Sequence, residues 1–482
     1  MLNLRPILFV IGILLAILSA AMVIPAIVDA VLKNPDWGGF ALSAFLTAFV
    51  GVSLILINLG YQGDISIRQA FFLTTFSWVT VCAFGALPFV FSAVKLSYTD
   101  AFFETMSGLT TTGSTVMSGL DHLAPGILLW RSILHGLGGV GIIVMALAIL
   151  PMLKIGGMQL FRTESSDKSD KILPRATQIA GAIIGIYFLL LFACTTLLWM
   201  AGMSLFDAIC HALGTISTGG FSTHDASLGY FRSPTIEVII TIFMVLSSIP
   251  FLLYIYVLRG NPMALIRDTQ VQWFIAIGFF SIATISAWQF FINHVPLYDA
   301  LRHTIFSVTS IITTTGFVTV DYSTWGNFVI TFIFMLTVVG GCTGSTTGGI
   351  KIFRYQILYE TAKTQIRHLI QPHGVFRPLF NHKVVPEPVT SSVMSFFILF
   401  AFCFLAFTVL LSMTGLDYLT SMSATATALG NVGPGLGNIV GPVGNFSTLP
   451  DTAKWLLSAA MLIGRLEVFT VLVLFTPYFW RS

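Results

Sequence analysis

The sequence predicts an all-α integral membrane protein. It reads as four pseudo-repeated helix–pore-loop–helix units around one pore, plus two extra N-terminal transmembrane helices. Three observations predict this. Of 482 residues, 56% are hydrophobic and 9% charged, with a mean hydropathy of +0.90, whereas soluble domains carry about 25% charged residues. Long apolar runs occupy 7–31, 40–59, 126–153, 176–200 and 394–411, with a shorter one at 329–339. Most reach the roughly 20 residues that cross about 30 Å of hydrocarbon. Finally, an apolar span followed by a short amphipathic stretch, a Thr/Gly-rich hairpin and a second apolar span recurs four times.

Residues 1–60 hold two spans with no hairpin between them. The first run is too long for a secretory signal and lacks a small-residue cleavage site, so it reads as a spanning helix. The four units then fall at 61–160, 170–260, 268–370 and 388–482. Their hairpins are Thr110-Thr111-Thr112-Gly113, Ser217-Thr218-Gly219-Gly220, Thr313-Thr314-Thr315-Gly316 and Asn431-Val432-Gly433-Pro434. The glycines at 113, 220, 316 and 433 lie 107, 96 and 117 residues apart, the mark of one duplicated unit.

Each amphipathic stretch opens with an aspartate: Asp100, Asp207, Asp299 or Asp417. Asp100 to Thr110 as a helix would be about 16 Å long at 1.5 Å per residue, half the hydrocarbon depth, so it must enter and return on one side. A non-helical return strand is tolerated there only inside protein or beside water. The aspartates suit the helix starts, where they can cap free N–H groups. The negative C-terminal ends then converge on the hairpins and favour a cation. The offset from aspartate to glycine is 13 residues in the first two units but 17 and 16 in the last two, so the equivalence is approximate.

The net charge is only +3, but sixteen of the 23 Lys/Arg lie at Arg5, Arg68, the loop 154–175, Arg259, Arg267, the segment 351–383 and Arg481. The positive-inside bias puts these and both termini in the cytoplasm, with the hairpins toward the opposite side. The loop 157–175 and the proline-containing basic segment 360–388 read either as plain connectors or as the docking surface for a cytoplasmic partner. The five cysteines are scattered without CxxC or His-paired spacing and read as small buried hydrophobes.

Thr and Gly suit a ring of main-chain carbonyls. Backbone that alternates in twist is easiest without a Cβ, and threonine hydroxyls can brace the strand or add an oxygen. Inward carbonyls replace the hydration shell of a bare cation. The hairpins carry no carboxylate ring, so the ligands are neutral oxygens suited to a large monovalent ion, and the pattern is potassium-channel-like. Each hairpin has one obligatory glycine where the potassium-channel loop TVGYG has two, implying fewer stacked ion sites.

A second glycine cluster, 340–349, interrupts the last span of the third unit. Glycine costs about 1 kcal/mol against alanine inside a helix, so this segment reads as an unwound intramembrane loop and a candidate gate. Its GxxxxG spacing lacks the Lys-Ser/Thr of a phosphate loop. The GxGxxG at 136–141 lies within an apolar span and reads as close helix packing. Arg465 and Glu467 sit in the last span, where an unpaired charge is costly; Arg465 is read as facing the pore. Glu104 reads as a brace for the first hairpin, and His211 and His303 as packing residues.

The chain resembles the membrane subunit of bacterial Trk potassium uptake systems, within the Trk/Ktr/HKT superfamily, over essentially its whole length. The motifs that carry the resemblance are Asp100-Ala101-Phe102-Phe103-Glu104 through Gly113, Gly219-Gly220-Phe221-Ser222-Thr223-His224-Asp225, the 340–349 loop, Asn431-Val432-Gly433-Pro434-Gly435-Leu436 and Gly464-Arg465-Leu466-Glu467-Val468-Phe469. The resemblance implies that Gly113, Gly220, Gly316 and Gly433 are filter glycines. The carbonyls that hold potassium then come from Thr111, Thr112, Thr218, Gly219, Thr314, Thr315, Asn431 and Val432. It implies a gate of Gly344, Ser345, Thr346, Thr347, Gly348 and Gly349 beneath them, with Arg465 at the same constriction. It further implies a homodimer in the bacterial inner membrane, surrounded by lipid, with a separate cytoplasmic ring of nucleotide-binding regulatory subunits. Potassium is then the transported ligand, and neither a covalent cofactor nor a nucleic-acid partner is expected. The stretch 247–254 departs from the pattern by being less polar. Two other readings compete with a non-enzymatic potassium pathway: a K⁺/H⁺ or K⁺/Na⁺ symporter on the same fold, and a membrane-embedded enzyme, for which no catalytic constellation is visible.

Overall fold

The computed structural model describes residues 3–60, 66–148, 176–381 and 383–481; the predicted loop 157–175 lies outside them. Seven described helices are long and apolar enough to cross a membrane, or up to nine if each sharply bent pair counts as one span.

The N-terminal pair, Arg5–Val31 and Trp37–Ile57, packs at its closest through Gly12 and Gly51. A Cβ on Gly12 would fall 2.8 Å from the Gly51 carbonyl oxygen, and one on Gly51 would fall 3.0 Å from that of Gly12. Small residues permit such approach where no hydrophobic force drives helices together. Buried Asp29 anchors the pair to the first unit: its Oδ1 accepts from the Gly126 N–H at 2.8 Å, at the start of the following span. A carboxylate there meets the positive end of a helix dipole. Asp36 Oδ1 likewise accepts from the Ala93 N–H at 2.8 Å.

Each unit has a first span: Ile67–Gly85, Ala176–Met200, Thr269–Phe291 and Glu387–Ser412. A half-helix follows: Tyr98–Leu109, Leu205–Ile216, Leu297–Ile312 and Tyr418–Gly430. Each second span packs between its own half-helix and the half-helix of the next unit, and that of the fourth unit packs back on the first. The chain therefore closes a ring. The C-terminal parts of the half-helices are buried while their first turns are exposed, as at Leu205, Tyr298 and Tyr418, so the non-helical returns lie inside protein, as the hydrocarbon requires.

The second spans differ from one another. Pro125–Ala148 is unbroken. In the second unit, Pro234–Ser247 and Phe251–Leu258 meet at 95° across Pro250. Proline supplies no N–H and disfavours helix in the residue before it, which accounts for the turn. In the third unit, Asn327–Val338 gives way to the 340–349 loop before Ile352–Ile370 resumes. In the fourth, Asp451–Arg465 turns through 115° into 468–475 across Glu467, whose φ is +68°. The sequence pointed to one broken second span, through its glycine cluster; among the described residues there are three.

Candidate functional site

The half-helices begin alike in three units. Ser97 and Ser204 are N-caps that accept from the backbone N–H of Asp100 and Asp207, and each serine hydroxyl donates to that aspartate's carboxylate at 2.8 and 2.7 Å. In the fourth unit Asp417 is itself the N-cap and accepts from the Thr420 N–H. The first two aspartates thus stand three residues into their helices, and only Asp417 caps in the way the sequence suggested. Counted from the cap, the filter-position glycine lies 16 residues on in units one, two and four. In unit three the cap position is Pro296, without a capping bond, and the distance is 20. That half-helix is 16 residues long against 12, 12 and 13, one turn longer. The uneven aspartate spacing therefore has two causes: a shifted cap and an added turn.

The hairpins repeat one backbone pattern. Thr111, Thr218, Thr314 and Asn431 have φ of +52°, +55°, +55° and +52°, and the glycines two residues on have +86°, +79°, +81° and +108°. A β-branched threonine in the left-handed region is a genuine outlier, held here by its surroundings. Glycine was expected to supply the alternating twist; threonine and asparagine supply half of it. The Thr218 hydroxyl donates to the Ser217 carbonyl, that of Thr314 accepts from the Gly348 N–H at 2.7 Å, and Asn431 Nδ2 donates to Thr112 Oγ1 and the Met461 carbonyl, both at 3.0 Å.

The glycines bring the four hairpins together. A Cβ on Gly113 would lie 2.3 Å from the Gly219 carbonyl oxygen. One on Gly220 would lie 2.0 Å from that of Thr315, one on Gly316 2.0 Å from that of Val432, and one on Gly433 2.7 Å from that of Thr112. Real Cβ atoms do not approach backbone so closely. Every glycine thus abuts the carbonyl of the residue preceding the glycine in the next unit, and the fourth abuts the first. These positions form a closed ring of equivalent main-chain oxygens; nine of the twelve residues at 111–113, 218–220, 314–316 and 431–433 are buried, and Gly113, Gly220 and Gly316 are half-buried. All four glycines line one cavity of about 270 Å³, together with residues of the segments that lead from the hairpins to the second spans.

A buried frame holds the ring. Glu104 accepts from Arg131 Nε at 2.8 Å, from the Val116 N–H at 2.9 Å and from Thr115 Oγ1, while Arg131 Nη1 donates to the Ser222 carbonyl at 2.8 Å and its guanidinium sits 4.1 Å from the Phe221 ring centroid. His135 Nε2 accepts from the Phe221 N–H at 3.0 Å, so its proton is on Nδ1, which donates to the Gly108 carbonyl at 2.7 Å. Glu104 is a brace, as the sequence indicated. Arg131 and His135 were missed, although two basic residues four apart on one face of an apolar span are the kind of intramembrane polar pair that marks a function. His211 is a satisfied packing residue: Nδ1 meets the Asp207 carbonyl at 2.8 Å and Nε2 meets Ser222 Oγ at 2.9 Å. Three glycines of the 136–141 motif serve close packing: a Cβ would fall 2.9 Å from Leu213 on Gly136, 1.9 Å from the Leu109 carbonyl oxygen on Gly138 and 2.7 Å from Ser217 on Gly139, whereas one on Gly141 meets nothing within 4 Å. At the outer rim the His224 imidazole meets Asp121 at 2.5 Å and holds that carboxyl below its usual range.

The 340–349 loop lies under the third hairpin, joined by the Gly348–Thr314 bond. It is also stitched to the other breaks. The Cys342 and Thr346 N–H groups donate to the Ser248 and Ser247 carbonyls at 3.0 and 3.3 Å, and the Phe251 N–H donates to the Gly344 carbonyl at 2.9 Å. Arg465 Nη1 donates to the Thr346 carbonyl at 3.0 Å, while Lys351 Nζ donates to the Thr347 carbonyl and to its hydroxyl. Arg465 is 4% exposed, so it does not snorkel to water. Glu467, two residues on, pairs with Arg354 beyond the loop at 2.6 Å. The loop, Lys351, Arg465 and Glu467 enclose a cavity of about 20 Å³, room for little more than one water.

These features define a multi-pass helical membrane protein with four pore-loop units closed into a ring within one chain. The profile of the TrkH family, described as Cation transport protein, matches residues 40–481. The chain belongs to this family. It is 45% identical over 481 residues, 99% of its length and 97% of the relative's, to a protein of Halomonas elongata named Trk system potassium uptake protein TrkI. It is 39% identical to the Trk system potassium uptake protein TrkH of Escherichia coli K12, covering 99% of each. The crystal structure of the potassium transporter TrkH from Vibrio parahaemolyticus superposes with a TM-score of 0.92 at 36% identity over 100% of both chains.

Proposed function

We propose that this protein transports potassium across the bacterial inner membrane through the four-hairpin ring, with the carbonyls of Thr111, Thr112, Thr218, Gly219, Thr314, Thr315, Asn431 and Val432 as ion ligands. The observation that carries this reading is the cyclic contact of each glycine with the next unit's carbonyl. It brings equivalent neutral oxygens together at the converging negative ends of four half-helices. The relatives' names as potassium uptake proteins support the choice of ion. Division of the chain at 1–60, 61–160, 170–260, 268–370 and 388–482 fits the repeated elements.

The 344–349 segment acts as the gate, with Arg465 as the group that holds it shut. The volumes support this: about 270 Å³ outside the ring against about 20 Å³ beneath it. A hydrated ion has no room in the lower space. Both termini face the cytoplasm, two copies form a homodimer, and a cytoplasmic ring of nucleotide-binding subunits moves the gate. Conduction is favoured over proton-coupled symport because Glu104 and Glu467 are each ion-paired with an arginine.

Rubidium flux in liposomes, together with growth rescue of a potassium-uptake-deficient bacterium at limiting potassium, tests the reading. Potassium-selective flux that Gly113→Ser makes non-selective is the expected result. A reversal potential that moves with pH or sodium overturns conduction in favour of a coupled carrier.

A further inference from the structure

A four-unit ring needs no additional helices to close, yet the N-terminal pair is bolted to the first unit. Its first helix forms one wall of an apolar groove of about 390 Å³ whose other walls are the first and second spans of unit one. We propose that this groove is a binding site for a single lipid acyl chain, which packs under the C-terminal end of the first half-helix.

The groove is lined by Leu14 and Ile17 of the N-terminal helix, Trp78 of the first span, Gly141 and Met145 of the second span, and, at its inner end, Leu109. Leu109 is the last residue of the first half-helix, directly before the hairpin. Ile17 is 52% exposed and neighbouring Phe76 46%, in the middle of spans long enough to cross hydrocarbon, so the groove opens to the bilayer interior. Its lining hydroxyls already donate within their own helix: Thr74 Oγ1 to the Ala70 carbonyl at 2.8 Å and Ser77 Oγ to the Thr74 carbonyl at 3.1 Å. Ordered water needs two to four polar partners, and a lining made almost wholly of hydrocarbon offers few. The volume matches roughly a dozen water molecules, too large to leave empty in a close-packed protein. A hydrocarbon chain is the apolar, flexible occupant that the surrounding medium supplies. Gly141 keeps the site open, because a Cβ built there meets nothing within 4 Å. A larger side chain at 141 can enter the space without displacing backbone.

The experiment uses full-length protein in liposomes doped with a phospholipid carrying a diazirine at mid-acyl chain, followed by mass spectrometry of the labelled peptides. Labelling concentrated on Trp78 and Met145 is expected, reduced at least severalfold by Gly141→Leu and partly by Gly141→Ala. Thermal unfolding in detergent supplies a second readout. Added phospholipid should raise the Tm of the parent and raise that of Gly141→Leu distinctly less, since leucine replaces part of the tail. Equal labelling of parent and both variants overturns the proposal, as does labelling no denser in the groove than on exposed lipid-facing residues such as Phe45. Photocross-linking of the groove to a second copy of the chain overturns it in favour of a protein interface. If Gly141→Leu fails to fold, Ser77→Leu fills the groove from the facing wall and carries the same expectations.

Discussion

The hairpin ring and the layer of breaks beneath it are built from the same four units but follow opposite rules. In the ring the four units are interchangeable: the same φ alternation, the same glycine-to-carbonyl contact and, from three caps, the same count of residues. Half a span lower, one helix runs straight, one turns at a proline, one unwinds over ten residues and one reverses at a glutamate with positive φ. The difference fits the roles proposed above: a site that surrounds a spherical ion gains from equal ligands, whereas a segment that opens and closes needs one arrangement to be different from the others. The unit-three loop exchanges backbone hydrogen bonds with the unit-two break and accepts from Arg465 of the unit-four break, so it has more than one neighbour to hold it or let it go.

Substitutions distinguish the two layers. The largest effect is expected from alanine at the ring glycines. Gly220→Ala and Gly316→Ala, whose Cβ atoms would fall 2.0 Å from a neighbouring carbonyl, should reduce the K⁺/Na⁺ flux ratio by roughly tenfold or more. Gly113→Ala should follow, and Gly433→Ala, at 2.7 Å, should be mildest. An order unrelated to these distances would break the cyclic contact scheme. Arg465→Ala is expected to raise rubidium flux severalfold while leaving the ion ratio intact. A change in selectivity instead would join the two layers into one device.

Glu467→Gln leaves buried Arg354 without its carboxylate. Removing one partner of a buried pair costs about 3–5 kcal/mol, read as a fall in Tm in detergent. Ser97→Ala, Ser204→Ala and Asp417→Ala should each cost about 1 kcal/mol as lost N-caps, whereas Pro296→Ala should not lose a cap, since that half-helix has none. The smallest effect belongs to the rim. The Asp121 carboxyl is depressed by its hydrogen bond from His224, so the stability it lends is present above about pH 4 and fades only as pH falls through its lowered value. Asp121→Asn should flatten that acid limb of a pH–stability curve without altering flux at neutral pH.

The ring was legible in the sequence because symmetry repeats a signal four times. Thr/Gly hairpins at even spacing, each behind a stretch too short to span, leave few other folds. The frame was less legible. Arg131 and His135 each occur once, inside a run that reads as an ordinary apolar helix, and their partners Glu104, Gly108 and Phe221 are distant in the chain. The breaks at 248–250 and 466–467 were hidden for a related reason. Pro250 follows Ser247 and Ser248, and Glu467 follows Arg465, each a brief interruption of an apolar run, while the 340–349 loop announces itself with five glycines. Threonine at positive φ ran against local preference: tertiary contacts impose that conformation, and composition alone assigned the role to glycine.

The cyclic abutment of each glycine on the following unit has an evolutionary corollary. In a pore assembled from four identical polypeptides, any codon change enters the ion pathway in quadruplicate. Here it enters once, and its steric burden falls on a neighbour encoded about a hundred residues away, or about 320 where the fourth unit meets the first. Such a pathway can drift one quadrant at a time, which is how Thr-Thr-Gly, Thr-Gly-Gly and Asn-Val-Gly come to share a single circumference.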